Sequence, residues 1–123
     1  MRNRLVPRTE WFRFFRDFSR RHGNSLVTVR LFSPTFGSQV ESSGLPLEGI
    51  VSERAGHGPI SIHLGKAPEK HVEHEIAVPT QVWVELSEDG VEQAVEIESQ
   101  DGTRTVLQIV PAPPAAEQAL LTP

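Results

Sequence analysis

Hydrophobic positions along this chain change their period once. From Thr9 to about Arg21 they recur at helical spacing. At about 100° per residue, Trp11, Phe15, Phe18 and His22 gather on one side with Phe14 and Phe12 flanking them, while Arg13, Arg16 and Arg20 line the other. Pro7 lies just before this segment, Thr9 is placed to cap its first turn, and Gly23 stands where a left-handed C-cap belongs. Arg20, Arg21 and His22 fall in the last turn, where positive charge suits the helix dipole. So dense an aromatic stripe predicts a helix that faces the core. The competing reading is a basic amphipathic helix lying on an anionic membrane surface.

From Ser25 onward the period is two. Val27, Val29 and Leu31 share one face of the run Leu26–Phe32. The same alternation returns at Ile60, Ile62 and Leu64, at Val72, His74 and Ile76, and at Val82, Val84 and Leu86. Val95 with Ile97 and Leu107 with Ile109 complete the series, and residues 47–54 read as one more strand. Within that strand Gly49 marks a bulge or a close backbone approach. Alternation of this kind predicts half-buried antiparallel strands. Asp89-Gly90 and Asp101-Gly102 are hairpin signals, read here as tight primed turns. Ser33-Pro34-Thr35-Phe36-Gly37 and Ala55-Gly56-His57-Gly58-Pro59 also break the chain. The prediction is an α+β fold: one N-terminal helix packed on a mostly antiparallel sheet of six or seven short strands, curled into a small, partly open barrel. A flat sheet with the helix on one face is the alternative. Residues 1–110 form the single predicted domain, and the Pro/Ala-rich stretch 111–123 is expected to be a flexible tail.

Composition narrows the chemistry. The 123 residues include no Cys, which excludes disulfides, thiolate nucleophiles and Cys-based metal sites. No apolar run is long enough to span a membrane as a helix, and no signal-like apolar stretch follows the Arg-rich start. A cytoplasmic location is therefore expected. The net charge of −4 hides an asymmetry: residues 1–30 carry eight Arg against Glu10 and Asp17, a balance of +6, and the remainder carries −10. A basic head on an acidic body points to self-association or to an anionic partner, or else to two solvated faces.

Candidate sites are few. His71-Val72-Glu73-His74-Glu75 resembles metal chemistry until it is placed on a strand, where His71, Glu73 and Glu75 point one way and His74 the other. A site built from His63, His71 and Glu73 is the remaining metal candidate, and His74 reads as a core histidine with a hydrogen-bond partner. No nucleophile elbow surrounds any Ser, and Gly44–Gly49 lacks the spacing, Lys and following helix of a phosphate loop. Outward Glu73, Glu75, Glu85, Glu96 and Glu98 read as an acidic sheet face. Neither a catalytic residue nor a cofactor is predicted. Trp83 is the outlier: Val82, Val84 and Leu86 point inward, which leaves Trp83 outward beside Gln81 and Glu85. It is either covered by the helix's Trp11/Phe15/Phe18 face, the expected arrangement, or used in recognition.

Four stretches carry a resemblance. They are Pro7-Arg8-Thr9-Glu10-Trp11 with Phe18–His22, Leu45-Pro46-Leu47-Glu48-Gly49-Ile50, residues 74–82 (HEIAVPTQV) and residues 96–102 (EIESQDG). Together they resemble an uncharacterised bacterial family of short single-domain proteins. The resemblance covers nearly the whole chain except the Pro-rich tail, and it implies a stand-alone, intracellular domain with no activity or residue role to carry over. The leading expectation is a non-enzymatic module that binds another protein or itself, with Trp83 and the Arg13/Arg16/Arg20 stripe as its surfaces. The acidic Glu73/Glu85/Glu96 face of a second copy is the stripe's expected target. The alternatives are a metal-binding or hydrolytic enzyme using His63, His71 and Glu73, and peripheral binding to an anionic surface through the basic helix. Nucleic acid is not expected as a partner, because the acidic sheet would repel phosphate.

Overall fold

A computed structural model of the chain describes residues 2–65 and 70–110. Strand β1 (Arg2–Val6) leads through a 3-10 turn over Arg8–Glu10 into helix α1 (Trp11–His22). Seven strands follow: β2 (Leu26–Ser33), β3 (Gly37–Val51), β4 (Ile60–Leu64), β5 (Val72–Ile76), β6 (Pro79–Leu86), β7 (Glu92–Ser99) and β8 (Arg104–Ile109). They form one antiparallel sheet in the order β1-β6-β7-β8-β2-β3-β4-β5, which is not closed and leaves β1 and β5 as its edges. The fold is α+β, with the helix packed on the sheet, and has eight strands among the described residues rather than six or seven. The tail expected at 111–123 lies outside the described residues.

The period switch locates the core. Trp11, Phe14, Phe15 and Phe18 are buried against the inward residues of the strands, among them Val82, Val84, Val95, Ile97 and Leu107. Each such side chain contributes about 1.5–3 kcal/mol when it leaves water, so the aromatic stripe is a principal part of the core. Ser19 sets how closely the helix approaches: its Oγ accepts a hydrogen bond from the Ile50 N–H at 2.9 Å. Gly49 lies in van der Waals range of Ser19, the expected close approach, and the register shift of the β3–β4 pairing falls just before it, at Glu48.

Several local expectations are corrected. Thr9 makes no capping bond; the chain enters α1 through the 3-10 turn, with Glu10 at the N-cap position. Gly23 is not left-handed (φ −55°, ψ 132°), and Asn24, with φ 72°, takes that conformation instead. Asn tolerates it because its short polar side chain bonds locally. The Asp-Gly hairpins exist but are wider than primed turns. Gly90 and Gly102 donate back to Ser87 and Ser99, and only the Gly has positive φ, which is a type I turn closed by a glycine bulge. Both β1 and the first half of β3 lack apolar alternation, so periodicity gave no sign of them.

Candidate functional site

Strand alternation places Trp83 on the face opposite the helix. Its neighbours Val82 and Val84 belong to the core, while Trp83 pairs with Leu5 on β1 and Glu96 on β7. The expected cover by α1 therefore does not occur, because the helix occupies the other side of the same strand. Trp83 is half-buried instead, in a depression of about 480 Å³ walled by Glu85, Glu96, Arg104, Arg30 and Phe32 among others. No α1 residue lines it. Arg104 bonds Glu96 at 3.2 Å and lies 5.3 Å from the centre of the Phe32 ring. Among the described residues, Arg30 has no ion pair and no cation stacks on Trp83.

The arginine stripe forms a separate surface. Arg16 and Arg20 flank a small, mostly apolar groove between α1 and β3, over Phe12 and Val51, whereas Arg13 faces the β1 side beside Arg4 and Glu10. Arg16 pairs with exposed Asp17 at 3.3 Å. The acidic target proposed for the stripe is only partly assembled: Glu85 and Glu96 share the Trp83 face, but Glu73 lies on edge strand β5.

The histidines resolve into pairs. His63 Nε2 is 3.5 Å from Glu73, His71 Nδ1 is 3.2 Å from Glu48, and the two rings are 5.5 Å apart. The sequence candidates His63, His71 and Glu73 are thus neighbours, joined by Glu48. Yet among the described residues no group of three or more such side chains is placed to hold a metal ion. His74 lies on the inward side of β5 but is only half-buried and outside the core; its Nε2 is 2.7 Å from Ser42 Oγ, so the expected hydrogen-bond partner is present. Glu92 is tightly held, with two bonds from Arg21 (2.8 and 3.0 Å) and His22 Nε2 at 2.7 Å. Burial would raise its pKa, but the bonds and charges of Arg21 and His22 outweigh burial and hold it below the ordinary value.

Residues 2–118 match the model of a family of unknown function, DUF5335. The chain belongs to this family. An uncharacterized protein of Aquifex aeolicus (strain VF5) is 28% identical to it over 117 residues, covering 95% of this chain and 100% of the relative. No solved structure matches. Membership in DUF5335 agrees with the bacterial, uncharacterised family that the four sequence stretches resemble. No helix among the described residues is long and apolar enough to cross a membrane.

For this DUF5335 member, sequence reasoning missed Arg30, Phe32, Arg104 and Val106 as companions of Trp83. The alternation that turns Val29 and Leu107 inward turns these residues outward, so their facing was readable. Their proximity was not, because β1 sits beside β6 and β8 beside β2, an order set by tertiary packing. Glu48 also went unnoticed as a partner of His71.

Proposed function

We propose that this chain is a non-enzymatic binding module that contacts a protein partner through the outer sheet face around Trp83. The observation that carries the reading is a half-buried tryptophan in a depression that no described element covers. Aromatic and arginine side chains around a desolvated centre, with polar groups at the rim, are the usual make-up of interface hot spots. Trp83, Phe32, Arg30 and Arg104 supply that composition, and Glu85 and Gln108 border it. The arginine stripe of α1 is a second, more solvated contact surface. The reading extends to a cytoplasmic protein whose folded unit is residues 1–110.

A photo-crosslinking amino acid placed at Gln108, inside the depression, tests this in native host cells against a control at Glu88 in the β6–β7 turn. The expected result is a discrete protein adduct from Gln108 that Trp83→Ala weakens, with none from Glu88. No adduct at Gln108, or one indifferent to Trp83→Ala, would overturn the reading.

A further inference from the structure

We infer that the partner seated on the Trp83 face is a second copy of this chain, packed face to face about a two-fold axis parallel to the strands. The inference rests on the reading above and adds the identity of the partner.

The register lays the outward residues in rows that cross five or six strands. One row runs Leu5, Trp83, Glu96, Val106, Arg30, Val40 from β1 to β3. The next runs Gln81, Glu98, Arg104, Phe32, Ser38 from β6 to β3. In these two rows the acids sit on β7, and the arginines on β8 and β2. The middle of the face falls between β7 and β8. A two-fold axis there, in the plane of the interface and parallel to the strands, lays β7 over β8, β6 over β2 and β1 over β3 of the other copy.

Each row then meets itself reversed. Trp83 meets Arg30 of the second copy, Glu98 meets Arg104, and Leu5 meets Val40. The first contact places Arg30, which has no ion pair among the described residues, on the exposed part of the half-buried Trp83 indole, a cation–π arrangement. The second joins opposite charges, and the third covers side chains that are 44% and 49% exposed. Every contact occurs twice, as an isologous interface requires. The other in-plane axis, perpendicular to the strands, would lay Glu96 over Glu96 and Arg30 over Arg30, and like charges face to face disfavour it. Strand spacing of about 4.8 Å and a same-face repeat of about 6.6 Å give a face of roughly 600 Å² per copy. Standard interfaces bury about 800 Å² per partner, so the dimer is weak and concentration-dependent.

Sedimentation equilibrium of the full chain across the micromolar range tests the inference. Wild type should show a monomer–dimer equilibrium with no higher species, and Arg30→Glu or Trp83→Ala should weaken it about tenfold or more. The deciding arm uses Glu98→Arg and Arg104→Glu. Each variant alone should be monomeric, since like charges then meet twice across the axis. Mixed together, they should form a heterodimer, because both cross-axis pairs become complementary again. Recovery on mixing also shows that both variants are folded. A monomeric wild type, single variants that still dimerise, or a mixture that stays monomeric would overturn the inference. An adduct between Gln108 and a different protein would leave the binding reading standing without it.

Discussion

Phe15 and Phe18 are fully buried, whereas Phe36, at the tip of the β2–β3 hairpin, is 81% exposed. Phe15→Ala and Phe18→Ala should each cost about 3–5 kcal/mol, as lost burial and a residual cavity add. Phe36→Ala should leave a denaturant midpoint nearly unchanged. Ser19 is a subtler case, because its hydroxyl bonds the Ile50 backbone from across the helix–sheet interface. Ser19→Ala removes few atoms but strands a part-buried N–H, and should cost about 1–3 kcal/mol by chemical denaturation. Glu92 gives the stability a pH dependence whose sign is fixed. Its folded pKa lies below its unfolded one, so its contribution is present above the ordinary carboxylate range and lost as pH falls through the folded value. Arg21 is half-exposed, which limits that contribution to about 1 kcal/mol at neutral pH. Melting curves of wild type and Glu92→Gln should differ at pH 7 and converge as pH falls below the ordinary carboxylate range. A gap that widens on acidification would show that the carboxylate is not what holds the end of α1 to β7.

Among the elements, the helix and the apolar centres of seven strands were legible because each has one wet face and one dry face. Where that contrast fails, so does the reading. β1 has charged and apolar residues on the same side, with Arg4 5.9 Å from the centre of the Phe14 ring, as suits an edge strand guarded by charge. The first half of β3, residues 37–44, is exposed except at Ser42, so nothing in its polarity distinguishes strand from loop. The turn before it did carry a signal: Ser33 Oγ accepts from the N–H groups of Thr35 and Phe36, a local turn that implies a returning strand. The candidate site was half legible on the same grounds. Outward Trp83 followed from alternation, but the strand order that brings Arg30 near it did not. The N-terminal segment also has consequences beyond its own stability. Deleting residues 1–22 removes edge strand β1 and the four buried aromatics of α1, exposing the inward face of the sheet. Such a chain should aggregate or lose its cooperative melt by circular dichroism. An unchanged melting temperature would show the helix to be a dispensable arm.

Over the whole molecule, the +6 head is less cationic in effect than its composition implies. Arg21 is neutralised by Glu92 and Arg16 by Asp17. Arg8 is spent on structure, bonding the Gly56 carbonyl at 2.8 Å and stacking 4.4 Å from the Trp11 ring centre. Of the helix stripe, Arg13 and Arg20 are left without an ion pair among the described residues. Two or three free arginines release few counterions, so affinity for duplex DNA would fall with salt at a slope of only about −2 to −3, far from that of a strong binder. The rest of the chain carries −10, and its field opposes approach to phosphate wherever salt is too low to screen it. At about 0.1 M salt the Debye length is near 10 Å, so the stripe acts alone and its attraction is itself cut down. Neither regime favours an anionic polymer or bilayer. Fluorescence anisotropy with duplex DNA and co-sedimentation with phosphatidylserine vesicles should therefore show no binding at physiological salt. Binding in either assay that Arg13→Gln/Arg16→Gln/Arg20→Gln abolishes would make the helix, rather than the Trp83 face, the working surface of this protein.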